Sequence, residues 1–490
     1  MRVVFDTRFY RADMYMAVED HWRAEGRDVD CLYIAHQREA YRTTSRAGRD
    51  SRFVTAELKE LEVPDPDAAL AGIEQRYGDR LLPLMRYGMS ERYFRDWTRE
   101  RQLDALARQA IWFERLFQDF RPDLYVGEAP DMMQNWLAYG FAPAFGCRAV
   151  GLNASTVPAG RLLMMSDHDT VPGAIEAHEE IRRRGVTDAE EQAARAMQAT
   201  FMGEGTKLDY VGGRTWPDFV KRFLKGAVVR EHLGGSWMQL RERMAGNYFL
   251  QDDPTIARLR QPLRALRAWA SERLFVKDPV PDRPFVFYPL HYEPEAATLM
   301  HGSYFENQIE VVLNLARSLP AGWRLVVKEH PAMRNLRKLG FYRRLLKVPN
   351  VALVPMSVPT RRLILDAQVV AVISGSPGLE ASLVGKPVVM FGDFPWDYSP
   401  VVHKVGAMKD LPALIRRAAE SGLGRDHPDV LAFCASWDAA LPVGRYYKTR
   451  QYDWLEPGNV KLVADALRRA AVGEGERPVE VSRRQAGQSA

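Results

Sequence analysis

The chain has 490 residues, more than one ordinary domain holds and enough for two hydrophobic cores. It is 46% hydrophobic and 27% charged, a globular balance that excludes disordered and collagen-like classes. Lys plus Arg exceed Asp plus Glu only by 68 to 63, which suits small anionic ligands and argues for no nucleic-acid partner.

In chain order, Arg2 to Asp6 reads as a buried strand, followed by a helix to about Glu25 that Gly26 ends. Val29 to Ile34 is a second strand. The stretch from Asp50 to Trp97 is charged and holds no steady period, so no element is assigned there. Leu103, Leu106, Ala107, Ala110, Phe113, Phe117 and Phe120 then mark one face of a long helix, which Pro122 stops. Leu124 to Gly127 is a strand, Met132 to Phe145 a helix and Cys147 to Leu152 the next strand. This alternation predicts a parallel sheet covered on both faces.

Between about Ser166 and Phe275 the rhythm becomes helical. Thr187 with Glu190 forms a capping box, and Asp253-Pro254 opens a helix reaching about Leu274. Trp216, Phe219, Val220, Phe223 and Leu224 form an apolar stripe beside Lys221, Arg222 and Lys225. That pattern is compatible with a basic helix resting on a membrane surface, but a packed helix with a solvated basic face is the commoner origin of it. Lys277 to Pro284, with three prolines in eight residues, reads as a linker. Beyond it strands recur at Phe285–Pro289, Leu325–Lys328, Val351–Val354, Val369–Ile373 and Pro387–Phe391. Helices lie between them, one capped by Ser303 with Glu306.

The expected architecture is therefore α/β, with two doubly wound (Rossmann-like) domains facing a cleft. Residues 1–165 form the first, 166–276 a helical insertion or bridge, 277–284 a linker and 285–458 the second domain. A C-terminal helix covers 459–472 and a disordered polar tail 473–490.

Ligands of such sheets bind outside the carboxyl ends of the strands. In the second domain those ends carry Leu290-His291-Tyr292-Glu293-Pro294-Glu295, then Lys328-Glu329-His330-Pro331, then Ser374-Gly375-Ser376-Pro377-Gly378-Leu379-Glu380. Ser376 is placed to cap a helix whose first residue is Pro377. A helix start gathers unpaired N–H groups and the positive end of the dipole, which suits a phosphate. Lys328 and His330 add donors for a departing phosphate, and Glu380 can accept from ribose hydroxyls. Each residue also has a structural reading as a strand end, a surface lysine or a tight turn. In the first domain Glu128 and Asp131, with Asp6 behind them, are candidate general bases; a strand-end carboxylate equally caps the next helix.

Other chemistries lack their signatures. There is no G-x-x-x-x-G-K-[ST] loop, no G-x-G-x-x-G after the first strand and no G-x-S-x-G. Cys31, Cys147 and Cys434 match no zinc or disulfide spacing, and no H-E-x-x-H occurs, so no metal and no cofactor are expected. Cysteine usage suits a reduced cytoplasmic setting. The N-terminus lacks a signal-peptide core, and no run of ~18 uncharged apolar residues predicts a membrane span.

P-L-H-Y-E-P-E, G-W-R-L-V-V-K-E-H-P and S-G-S-P-G-L-E-A-S-L-V-G-K-P-V-V, over about Phe285 to Val405, resemble bacterial capsule polysaccharide biosynthesis proteins. That family includes transferases of the eight-carbon sugar acid Kdo, with a GT-B fold and a nucleotide-sugar donor. The resemblance implies a glycosyltransferase using a CMP-linked donor ahead of a UDP-linked one, and a glycan or glycolipid acceptor. It further implies a cytoplasmic location with peripheral contact to the inner membrane or to capsule assembly proteins. By resemblance His330 with Pro331, and Ser374 to Ser376, hold the donor phosphate and cytidine. Where related members have a glutamine after Pro-Leu and an aspartate further on, this chain has His291 and Glu295. Two rivals stand beside this reading: a hydrolysing nucleotide-sugar epimerase of similar architecture, and a non-catalytic subunit of a capsule assembly or export complex.

Overall fold

The structure, a computed structural model, describes residues 1–203 and 273–473 with 266 and 270, apart from positions 9, 95–96, 334–335 and 449–451. The apolar-basic stripe at 216–225, the helix start at 253–254 and the tail beyond 473 lie outside the described residues. The described chain divides into two compact units, one of residues 1–177 and 438–473, the other of residues 178–203 and 266–437.

The first unit is a six-stranded sheet in the order β3-β2-β1-β4-β5-β6. Its strands are β1 (Arg2–Thr7), β2 (Asp30–Ala35), β3 (Ser51–Phe53), β4 (Leu124–Glu128), β5 (Arg148–Ala154) and β6 (Leu162–Met165). The first five run parallel, and β6 returns antiparallel to β5. β1 and β2 are almost wholly buried because helices cover both faces of the sheet. On one face helix Arg11–Ala24 and helix Pro457–Val472 enclose Val3, Phe5, Tyr15, Val18, Trp22, Val463 and Leu467. Trp22 Nε1 donates to the carbonyl of Ala464 at 3.3 Å, tying the two ends of the described chain together.

The second unit repeats the design in the order β12-β11-β10-β7-β8-β9, all parallel. The strands are β7 (Phe285–Pro289), β8 (Arg324–Lys328), β9 (Val351–Val354), β10 (Val369–Val372), β11 (Val388–Met390) and β12 (Val402–Lys404). β10, the four apolar residues V-V-A-V, is completely buried, as a central parallel strand must be. Both sheets reverse direction beside their first strand, β1 against β4 and β7 against β10, and these are their topological switch points. Two Rossmann-like α/β units in one chain are the ingredients of the GT-B class of architecture.

Local differences from the sequence reading have local causes. The unassigned stretch after Asp50 contains β3 and helices Val54–Glu60, Pro66–Tyr77 and Leu84–Met89, too short to show a period. The Thr187–Glu190 capping box forms as expected. Ser303 does not cap the next helix: its hydroxyl donates to the carbonyls of Leu299 and Met300, and helix Gln308–Ser318 begins after Asn307. The proline-rich 277–284 stretch is anchored to β9, where Asp278 accepts from Leu353 N at 2.7 Å and returns a bond to its carbonyl.

Candidate functional site

At the switch point of the second unit the loop after β7 folds across the end of β10. His291 Nε2 lies 2.5 Å from the carbonyl of Ser374 and 3.3 Å from its backbone nitrogen. The shorter contact, to an oxygen that can only accept, assigns the proton to Nε2, and Nδ1 is then a buried acceptor with no hydrogen-bond partner. Burial holds this imidazole neutral, with its pKa pulled down to about 4. The His291 backbone is clamped by Gln308, which accepts from its N–H at 2.6 Å and donates to its carbonyl at 3.1 Å. Ser374 is fully buried and donates to the carbonyl of Ala297 at 3.0 Å, fastening the short helix Ala296–Leu299. Glu295 precedes that helix, half-buried, its carbonyl accepting from Thr298 and Leu299.

Helix Ser376–Leu383 follows directly. Gly375, not Ser376, stands at its N-cap, because the chain turns there through φ +98°, a conformation that glycine adopts without strain. Ser376 thus opens the first turn with Pro377 second, and the serine hydroxyl bonds Glu380. Gly378 lets the helix lie on the buried Trp396, since an added Cβ would come within 2.2 Å of that ring.

β8 delivers the charge. Lys328, at the strand end, is 7% exposed and its Nζ donates to Thr360 Oγ1 at 2.8 Å. No carboxylate stands within ion-pair distance of it among the described residues. Burial pulls its pKa down to about 8, with Glu380 acting the other way. Burial likewise pushes Glu380 up to about 7, against the Ser376 hydroxyl and Lys328. His330 Nδ1 accepts from Ala332 N at 3.2 Å, which leaves the proton on Nε2; burial, then His291, Arg337 and Lys328, hold the ring neutral near a pKa of about 4. Pro331 is exposed and starts the single turn Pro331–Met333.

Beneath these groups lies a buried ionic knot. Glu329 accepts from Arg337 Nε and from Tyr342 Oη, each at 2.7 Å. Arg337 also donates to Glu293 and to the carbonyl of His291, both at 2.7 Å. The glutamate of K-E-H-P thus faces inward and fixes the strand end, while Lys328 and His330 take no part in the knot. Arg337, Thr360 and Gln308 carry no motif in the sequence. Pro359 ahead of Thr360 is the one local sign of a helix start among them.

The carboxylates of the first unit cluster at its own switch point. Arg8 donates to Glu128 at 2.6 Å and to Asp131 at 2.9 Å, and Arg11 takes the other oxygen of Glu128. Arg92 reaches Asp131 at 3.6 Å. Burial works against the charges of Arg8 and Arg11, yet the surrounding carboxylates raise both pKa values overall. Asp131 does not cap helix Met133–Ala144; the buried Glu91 accepts from Met133 N instead, at 3.1 Å. Asp6 is fully buried, with one oxygen accepting from Tyr125 at 2.7 Å and Asn135 at 3.3 Å. Its other oxygen has no hydrogen-bond partner and lies 3.9 Å from His36 Nε2, which is also unpartnered. Burial pushes Asp6 up to about 6.

In the loop after β6, Asp167, His168 and Asp169 bring three ligand atoms within 4.8 Å of one another, a spacing able to hold a cation. His168 Nδ1 already bonds Asp167 at 3.1 Å. Three consecutive residues form no spaced motif, so sequence patterns pass over them. No described helix is long and apolar enough to cross a membrane.

A model of the capsule polysaccharide biosynthesis protein family matches residues 260–406, under a third of the chain, centred on β7 to β12. No protein of curated function matches. Among solved structures, the beta Kdo 2,4 transferase KpsC of Thermosulfurimonas dismutans is similar at 15% identity and a TM-score of 0.36, over 70% of this chain and 86% of that one. The beta Kdo 2,7 transferase KpsC of the same organism is similar at 14% identity and a TM-score of 0.31, over 63% and 78%. UDP-GlcNAc 2-epimerase of Neisseria meningitidis, bound to UDP-GlcNAc, is similar at 14% identity and a TM-score of 0.27, over 90% and 98%. The two-sheet fold itself is given by the two strand orders.

Proposed function

We propose that the protein acts on a nucleotide-activated sugar, which the second unit binds at the carboxyl edge of β7, β8 and β10. The observation that carries this is Lys328, a buried ammonium without a carboxylate partner among the described residues, beside a helix start and a protonatable glutamate. A phosphate supplies the missing counter-charge. Lys328, the Nε2–H of His330 and the first turn of helix Ser376–Leu383 are preorganised donors for the charge that grows on a departing phosphate. Glu380, the His291 acceptor nitrogen and the backbone around Glu295 line the sugar and nucleoside side. The family match over residues 260–406 supports capsule or other surface polysaccharide biosynthesis as the setting; Kdo from a CMP donor is the sugar that this reading places there.

In the transferase reading the first unit holds the glycan or glycolipid acceptor. Glu128 and Asp131 are occupied by arginines, whereas Asp6 keeps one oxygen without a partner. Of the three carboxylates this makes Asp6 the candidate base for an acceptor hydroxyl bound to the first unit, and the sugar–phosphate bond of the donor breaks through an oxocarbenium-like state. A second reading, a hydrolysing nucleotide-sugar epimerase, is favoured by one feature of the same site. Glu380 and Lys328 both titrate close to neutrality, as a general acid and base working on the donor sugar would.

Calorimetry against CMP, UDP, GDP and their sugars tests the common claim. A bound nucleotide at a hundred times its Kd stabilises the fold by roughly 2.7 kcal/mol. Lys328→Met should weaken binding roughly ten- to a hundred-fold, the loss of one charge-assisted hydrogen bond. Product analysis then separates the readings, since an epimer or free UDP formed without acceptor sinks the transferase. Failure of every nucleotide to bind overturns both.

A further inference from the structure

Helix Arg38–Arg46 follows β2 within three residues and so begins at the carboxyl edge of the first sheet. It lies on the sheet through Ala40 and Thr44, both fully buried. Arg38, Arg42 and Arg46 sit two positions from these, about 200° around the helix and hence on the opposite face. Arg42 and Arg46 are exposed and Arg38 is half-buried. No carboxylate lies within 4 Å of any of the three guanidinium groups among the described residues, and Glu39 is the only acidic residue on the helix. Arg49, just beyond it, is by contrast engaged by Glu19 at 3.3 Å and Asp20 at 2.6 Å. Three like charges at i, i+4 and i+8 repel one another and destabilise a helix, and no carboxylate among the described residues pairs with them. The stripe spans about 12 Å and leads outward from the end that also carries His36.

We propose that this arginine stripe is the docking surface for a linear acidic polysaccharide, whose sugar carboxylates pair with Arg38, Arg42 and Arg46. The negative charge of the partner follows from the stripe alone; its being a glycan rests on the reading of the first unit as the acceptor side. Guanidinium forks match carboxylates bidentately and hold their charge at every working pH, which accounts for arginine at all three positions. A lipid surface is the poorer match, because no large apolar side chain of this helix is exposed for insertion. A nucleic acid is a poorer match too, since the one aromatic residue of the helix, Tyr41, is stacked on Phe53 at 5.4 Å and offers no free face to bases.

The full-length protein is titrated at low salt with hyaluronan, neutral dextran, duplex DNA, and vesicles of phosphatidylcholine with and without phosphatidylglycerol. Hyaluronan should bind and dextran should not, with affinity falling as salt rises. R38E/R42E/R46E should weaken hyaluronan binding at least about tenfold, and the neutral R38Q/R42Q/R46Q should weaken it less, which keeps the test open if charge reversal disturbs folding. A control of equal charge change on exposed residues of the second unit, R317E/K347E/R416E, should bind as the parent does. Unchanged binding by both stripe variants overturns the proposal, as does failure of hyaluronan to bind. Stronger binding of DNA or of anionic vesicles than of hyaluronan overturns the glycan assignment. Nucleotide binding is measured on the same samples. Its loss in the parent defeats the function proposed for the second unit, while the stripe result stands on its own readout.

Discussion

Glu380 and Lys328 show how burial without direct pairing sets up a pH-sensitive site. Glu380 keeps its proton in the native state up to about 7, whereas the unfolded chain releases it near 4.5. The native state therefore binds more protons across that window, and stability falls as pH rises from about 4.5 to 7. Glu380→Gln should leave stability unchanged at pH 4 and raise it at pH 8 by on the order of 1–2 kcal/mol after discounting for solvent screening, read by urea titration at the two pH values. In the first unit, Asp6 and Glu128 should separate by kind of effect. Asp6→Asn keeps a group that Tyr125 can still bond, so it should fold while losing turnover about a hundredfold or more. Glu128→Gln removes the charge that Arg8 and Arg11 share, and should cost about 3–5 kcal/mol of stability whatever it does to turnover. Equal stability losses in the two variants would contradict Asp6 as the free base. The sequence marks both carboxylates by their place at strand ends, but not that two arginines occupy one of them, because Arg8 and Arg11 lie more than a hundred residues away from it.

At the scale of elements, the ends of strands β7, β8 and β10 are held by contacts that no local pattern encodes. Arg337, in the loop before helix Leu339–Leu345, bonds Glu329, Glu293 and the carbonyl of His291 at once. Arg337→Met leaves Glu329 buried without its cation and should cost about 3–5 kcal/mol. Adding Glu329→Gln should restore a large part of that loss, because His330 N can still donate to the amide oxygen and the Tyr342 hydroxyl can turn to accept from the amide N–H. Denaturation of the single and double variants checks this, and additive losses would show that the ion pair is not the coupling. The strands themselves are legible from runs such as V-V-A-V, since a buried parallel strand has no other way to be written. Helix starts are less so. Ser303 lies five residues before helix Gln308–Ser318 and Ser376 is the first residue of its helix, and in both cases the serine hydroxyl is drawn to another group, the Leu299 and Met300 carbonyls or Glu380.

At the scale of the whole molecule, chain order and spatial order part company. Helix Pro457–Val472 comes after the second sheet in sequence yet covers the first, where Val463 and Leu467 are wholly buried against helix Arg11–Ala24. Deleting residues 457–490 should expose Trp22 and Phe5, lowering hydrogen-exchange protection of β1 and β2 while β7, β8 and β10 keep theirs. Equal loss of protection in both sheets would show that the two units unfold as one.

The sequence alone determined two doubly wound sheets and, in the second, the strand edge at which we propose that a phosphate binds. Hydrophobic period, proline breaks and strand-end residues are local signals, and each acts within a few residues of where it is written. Only the tertiary structure decided which of those edge residues stand free. Lys328 faces the site and Glu329 the core because Arg337 draws the glutamate inward. Asp6 keeps an oxygen because Arg8 and Arg11 are taken up by Glu128 and Asp131. Pairing of buried charges is a competition among residues far apart in the chain, and its outcome depends on distances that exist only after both sheets have formed.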